Sequence, residues 1–335
     1  MIPKIIRPMV IMETIAEKAG PPMNNSFVVC FNAILPIFLV IALGFFAKRV
    51  GFIKEAEVPR MNAVAFKVFM PIMCFYNMYT SDLSSAIRPK LILFAVVAVL
   101  SEYVLAWLYA RFFVAEPQRR GVVIQGLYRS NYLIIGIPIA SSLLGGTELG
   151  TVSFVAAIVV PIFNVLAVIS LEIYNGEKPN LGKLVLDILK NPLILGIAAG
   201  ILALLVRLRL PAPVEAAVRD VARTASPLML FLLGAFFRFG NVRSHLKDLI
   251  ATVLGRLVIF PAIFLTLAVL LGFRGIEFVS LLTVFSSSTA VASFTMAQQM
   301  GGDAELAGDI VVWTSLLCSL TLFGWSLLFK SLGMF

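Results

Sequence analysis

The stretch LILFAVVAVL, residues 91–100, is apolar at every position, and runs of the same kind recur along nearly the whole chain between short charged segments. Such runs leave no solvated face, so they are neither surface helices of period 3.6 nor half-buried strands of period 2. Runs of about 20 residues suit helices crossing a hydrocarbon core of about 30 Å. A transmembrane barrel would need segments of about 10 residues alternating apolar and polar, which this pattern excludes. Read between its charged punctuation, the chain predicts ten spans, at 27–47, 60–79, 90–112, 120–144, 148–172, 188–206, 214–237, 248–272, 276–300 and 306–329. The sixth is the least regular, because Asp187 and Lys190 precede an apolar part that begins only at Asn191. The expected fold class is an all-α polytopic membrane protein.

Residues 1–26 carry two cations near the start and a short apolar patch broken by Pro8 and Glu13, without a convincing cleavage site, and read as a tail. Met23, directly before the first span, is a plausible alternative start. Composition sharpens the class: 60% of the 335 residues are hydrophobic and 13% charged, with mean hydropathy +0.99, whereas soluble domains devote about a quarter of their residues to charge. The net charge of +9 lies mostly between the apolar runs, where Lys and Arg set orientation and meet anionic lipid. The expected partner is the lipid bilayer, with no role for nucleic acid. Cys30, Cys74 and Cys318 have no metal-type spacing and read as small core residues. His245, the single histidine, lies in the basic segment NVRSHLKD and reads as a loop residue, which leaves no metal cluster and no cofactor motif.

Pro36 and Gly44 of span 1 recur as Pro192 and Gly200 of span 6, Pro71 recurs as Pro227, and Gly145 and Gly146 recur as Gly301 and Gly302. Every pair is 156 residues apart, as are Ala42 and Ala198, Met73 and Met229, Phe75 and Phe231, and the cations Lys67 and Arg223. Helix-altering residues at matched points across several segments predict an internal duplication. The halves are 27–182 and 183–335. With five spans each, the second enters the membrane from the opposite face, giving two inverted five-helix repeats, an architecture typical of alternating-access transporters.

The segment GLYRSNYLIIGIPIASSLLGG, residues 126–146, interrupts this oily chain with Arg129, Ser130, Asn131, Gly136 and Pro138. Pro138 lacks a backbone donor and Gly136 admits close backbone approach, so span 4 is expected to break near them. Irregular backbone at membrane depth is tolerated where protein or a water-filled cavity satisfies it. Adding 156 to Ser130 and Asn131 leads to Ser286 and Ser287, followed by Ser288 and Thr289, which are expected to line a site opposite Asn131.

On these residues the chain resembles the auxin efflux carrier family, which includes bacterial malonate and malate carriers. RSNYLIIGIPIASSLLG is similar to that family's broken fourth helix, and KNPLILGIAAGILALL and SPLMLFLLGAFF to its sixth and seventh. The resemblance covers roughly residues 27–332 and implies ten helices with external termini, broken helices crossing in spans 4 and 9, a scaffold of spans 1, 2, 6 and 7 that tends to dimerise, and a mobile core of spans 3–5 and 8–10. Ser288 stands where the family often has proline, which leaves span 9 either unbroken or broken by hydroxyl capping.

Glu102 near the middle of span 3 and Arg256 in span 8 are costly inside a bilayer and point to an ion pair or a proton path. Lys67 and Arg223 either lend positive potential to an anion or snorkel; Gln298 and Gln299 either bind sodium or cap an exposed helix end. Together these features predict an inner-membrane secondary transporter for a small organic anion, a mono- or dicarboxylate, with possible proton or sodium coupling and no catalytic chemistry. Arg129 would attract the carboxylate and Asn131 orient it. The rivals are a sodium-coupled carrier of the bile acid symporter type, which calls for clustered carboxylates and amides at the crossing, and an intramembrane enzyme, which needs a convergent catalytic set.

Lys and Arg are more abundant in the loops after odd-numbered spans, from Lys48, Arg49, Lys54 and Arg60 onward, than on the other side, which places those loops in the cytoplasm and both termini outside. A reporter fused after Lys330 is therefore expected to read as periplasmic and one inserted near Arg243 as cytoplasmic. A cytoplasmic C-terminus would overturn both the ten-span count and the inversion.

Overall fold

In a computed structural model of the chain, residues 23–80, 88–145, 149–174, 186, 189–237 and 242–335 are described. The tail up to residue 22, Gly146, the boundary at 182/183 and Asp187 lie outside them. The described residues are almost entirely helical and form no strand. In chain order the helices are α1 (Met23–Arg49), α2 (Glu55–Tyr79), α3 (Pro89–Phe113), α4a (Pro117–Tyr128), α4b (Tyr132–Leu143), α5 (Leu149–Ile173), α6 (Pro192–Leu205), α7 (Ala212–Phe236), α8 (Leu246–Leu270), α9a (Gly275–Ser286), α9b (Ala292–Gln299) and α10 (Ala304–Ser331). Each predicted span thus coincides with one helix or, in the fourth and ninth, with a broken pair. Of these, α2, α3, α8 and α10, with residues Gly150–Ile173 of α5, are long and apolar enough to cross a membrane, while α4b, α6 and α9a are shorter and apolar.

Packing inverts the soluble pattern. Leu39, Leu43 and Phe46 of α1, Leu93, Val97 and Val104 of α3 and Leu195 and Leu202 of α6 are exposed, whereas Glu102, Arg129, Arg256 and Ser286–Thr289 are buried. Apolar exteriors around a polar interior are what a lipid solvent selects.

Prolines shape three of these helices in one way. Ahead of Pro71, Pro138 and Pro261 the chain makes a wide five-residue π-turn, at Ala65–Phe69, Tyr132–Gly136 and Gly255–Ile259, whose closing N–H reaches back five residues. A proline ring displaces the carbonyl four residues earlier, and widening the turn relieves that clash. The carbonyl of Leu257, four before Pro261, instead accepts from Trp325 Nε1 of α10 at 2.9 Å. Pro138 therefore does not break span 4. The break falls at Arg129–Asn131, seven residues upstream, because the π-turn absorbs the proline and the helix continues through it.

Helix α6 packs on α2 and α7 on α1. A Cβ on Gly44 would stand 1.9 Å from the carbonyl oxygen of Phe231, and one on Gly200 would stand 2.6 Å from that of Phe75. Gly200 and Phe231 are the 156-residue counterparts of Gly44 and Phe75, so the two contacts are reciprocal. Gly145 and Gly301, another such pair, follow α4b and α9b with φ of 64° and 78°, the left-handed conformation that terminates helices. The prolines diverge: Pro36 sits inside α1 while Pro192 starts α6 after the Asn191 cap.

Replacing Gly44 or Gly200 forces two backbones apart. Gly44→Ala is expected to cost about 1–3 kcal/mol, the scale of overpacking a filled contact, whereas Gly324→Ala, with nothing within 4 Å, is expected to be neutral or mildly stabilising. Thermal unfolding of the purified variants in detergent checks the difference.

Candidate functional site

The two breaks meet. Asn131 N–H donates to the carbonyl of Ser288 at 2.8 Å, Ala290 N–H donates to that of Arg129 at 3.2 Å, and Ser130 faces Thr289 as an isolated antiparallel bridge. Each break thus satisfies part of the other's backbone, as burial demands. Hydroxyls supply much of the rest: Ser287 Oγ donates to Thr283 O at 2.6 Å, Thr289 Oγ1 to Gly126 O at 2.8 Å, and Thr314 Oγ1 accepts from Thr289 N–H at 3.2 Å. Span 9 is broken without a proline, by this capping.

The carbonyls freed at the ends of α4a and α9a are gathered by one side chain. Arg256 donates from Nε to Ser287 O at 2.9 Å, from Nη2 to Val284 O at 2.9 Å, and from Nη1 to Tyr128 O at 3.2 Å and Leu127 O at 3.4 Å. A fixed guanidinium fork suits this task, and a cation at two helix C-termini complements both dipoles. Glu102 Oε2 lies 3.8 Å from Arg256 Nη1, and both residues are fully buried. Neither Glu102 oxygen accepts a hydrogen bond.

On the other side of the crossing lies a cavity of about 70 Å³. Arg129, Ser130 and Asn131 form one wall, the start of α9b at Ala290–Ala292 another, and Val160, Phe163 and Asn164 of α5 a third; Met73 and Asn77 of α2 and Ser226 and Met229 of α7 close it. Arg129 is 3% exposed. Its Nη1 donates to Gln125 Oε1 at 2.9 Å and Met296 Sδ at 2.9 Å, and its Nη2 to Asn164 Oδ1 at 2.6 Å. Among the described residues no carboxylate pairs with it. Ser130 Oγ and Asn131 Nδ2 are buried without partners. A buried cation and two orphaned polar groups at one cavity wall carry an unmet demand for negative charge and for acceptors.

The structure therefore brings Arg129, Ser130 and Asn131 together at the cavity. Ser286, Ser287, Ser288 and Thr289 lie in the crossing behind it, with Ser315 Oγ donating to Ser288 Oγ at 3.2 Å. Gly136 is a close-approach position, since a Cβ there would stand 2.4 Å from the Tyr132 ring and 3.1 Å from Ser287 Oγ; Pro138 lies in the helix beyond. Lys67 and Arg223 are exposed on the outer surface. Gln298 and Gln299 are half-buried and tied to α2, where Asn62 Nδ2 donates to Gln298 Oε1 at 2.6 Å and Gln299 Nε2 to Pro59 O at 3.3 Å. His245 lies in the turn Val242–His245 between α7 and α8, as a loop residue, yet it is 3% exposed and its Nε2 lies 2.6 Å from Asp309 Oδ2, because the turn folds onto the start of α10. Asn164 escaped the sequence reading although an amide in the apolar run VPIFNVLAV was a visible signal.

Two apolar helices broken at matched points cross beside a buried cation and a cavity, a helical membrane architecture. The family model described as membrane transport protein matches residues 29–181 and 177–326, so the chain belongs to that family, the auxin efflux carrier family. An uncharacterized transporter of Methanothermobacter thermautotrophicus is 24% identical over 321 residues, covering 88% of this chain and 97% of its own. Another, from Methanocaldococcus jannaschii, is 25% identical over 308 residues, covering 89% and 98%.

Removing the Arg256 head group is expected to be among the most damaging single changes. Arg256→Met leaves helix-end carbonyls and Glu102 uncompensated, a loss of about 3–5 kcal/mol on the scale of a broken buried pair. Adding Glu102→Gln is expected to restore part of it. A double-mutant cycle by thermal unfolding reads the coupling; no recovery in the double variant would mean that the carbonyl contacts carry the whole effect.

Proposed function

We propose that the protein is a secondary transporter of a small organic anion, which binds at the cavity beside the crossing of α4 and α9. The observation that carries this reading is Arg129, a buried guanidinium with no carboxylate partner among the described residues, flanked by the unpartnered Ser130 Oγ and Asn131 Nδ2. The start of α4b and the start of α9b also line the cavity, and helix N-termini favour negative charge. Arg129 supplies the attraction, Asn131 and Ser130 orient the carboxylate, and Asn164 holds the guanidinium in place.

In this reading residues 27–182 and 183–335 are inverted five-helix repeats, a proposal supported by the reciprocal Gly44–Phe231 and Gly200–Phe75 contacts and by a family match in two stretches of similar length. Helices α1, α2, α6 and α7 act as a scaffold that dimerises in the cell's inner membrane, both termini are external, and α3–α5 with α8–α10 move against it. The cavity lies between the two groups, as alternating access requires. Glu102, buried and without hydrogen bonds beside Arg256, is the candidate proton carrier.

Uptake of labelled organic acids at matched membrane abundance tests the site. Asn131→Ala is expected to weaken binding by about 5- to 150-fold, the equivalent of about 1–3 kcal/mol for unpaired substrate groups, and Arg129→Gln to abolish it, with insertion intact in both. Normal uptake in both variants would move the site elsewhere.

A further inference from the structure

The charges of the buried interior can be counted. Arg256 and Glu102 are both fully buried and 3.8 Å apart, so they cancel. Lys67 and Arg223 are exposed on the outer surface and take no part. His245 and Asp309 pair with each other near the start of α10, and buried Asp248 lies 3.8 Å from Arg119, both outside the cavity wall. That leaves Arg129, among the described residues, as the single uncompensated positive charge at the cavity. The rest of the wall is largely apolar or thioether, with Met73, Val160, Phe163, Met229 and Val291 facing the polar corner.

We propose that the cavity selects monocarboxylates and rejects dicarboxylates, an inference that rests on the anion site proposed above. One carboxylate neutralises Arg129 and accepts from Ser130 and Asn131; the short apolar remainder lies against Met73, Phe163 and Met229. A second carboxylate would bring a charge for which the buried wall holds no cation, and an uncompensated buried charge is among the costliest features a site can carry.

The test separates charge from size with isosteric pairs. Purified protein is titrated by thermal shift and by competition with malonate against malonamate and succinate against succinamate, alongside propionate, butyrate, lactate and pyruvate. Within each pair the molecules have the same number of heavy atoms and differ by one charge. Malonamate is expected to bind at least tenfold more tightly than malonate, and the short monocarboxylates to bind in wild type but not in Arg129→Gln. Ser226→Lys, which adds a cation to the scaffold side of the cavity, is expected to raise malonate affinity at least tenfold relative to malonamate. Equal or tighter binding of malonate by the wild type, lost in Arg129→Gln, would overturn the selectivity while leaving the anion site standing. Binding of every acid unchanged in Arg129→Gln would remove the anion site itself and the selectivity with it.

Discussion

The structure depends on satisfying backbone groups at the point where two helices stop in the middle of the protein. Breaking α4 and α9 frees carbonyls at the ends of α4a and α9a, and no water of a bilayer core can take them. Arg256 reaches carbonyls at both ends at once, and this fixes much else. The cation needs a counter-charge, which Glu102 provides from α3; it needs a rigid seat, which the π-turn ahead of Pro261 and the Trp325 hydrogen bond to Leu257 provide.

With the negative ends of the half-helices held on one side, the positive ends lie on the other. The starts of α4b and α9b border the cavity, and Arg129, at the end of α4a, turns its side chain into the same space between Gln125, Asn164 and Met296. The crossing therefore separates two electrostatic jobs. Arg256 is held by backbone carbonyls and has Glu102 beside it, whereas Arg129 is held by neutral side chains and, among the described residues, has no carboxylate partner. Two arginines of the same chemistry differ in what surrounds them.

Helices α2 and α7 supply part of the cavity wall. Gly44 and Gly200 bring α1 against α7 and α6 against α2 at backbone contact, making a group of helices held by close packing. Its hydrogen bonds to the remaining helices include Asn62 Nδ2 to Gln298 Oε1 and to Thr295 O, and Gln299 Nε2 to Pro59 O, and Met73, Asn77, Ser226 and Met229 line the cavity from its side.

Hydropathy alone placed ten helices within a few residues, because lipid rewards long apolar runs regardless of what they pack against. The 156-residue periodicity likewise exposed paired glycines whose roles proved equivalent, and the oddity of Arg129–Asn131 in an apolar run marked the cavity wall. Local rules failed where a partner distant in sequence decides the outcome. Pro138 looked like a helix breaker, but a π-turn accommodates it, and the break fell where Ser288 and Ala290 of α9 could bond the freed backbone. His245 does lie in a loop turn, but its burial beside Asp309, 64 positions away, was not visible there. Of the span 9 hydroxyls, Ser287 Oγ and Thr289 Oγ1 donate to helix carbonyls while Ser286 Oγ is buried without a partner, a division the sequence did not show. Composition and period determined which segments are helices and which residues are chemically unusual; tertiary packing decided which of those residues keeps an unmet bond, because an unmet bond is defined by everything that comes near it.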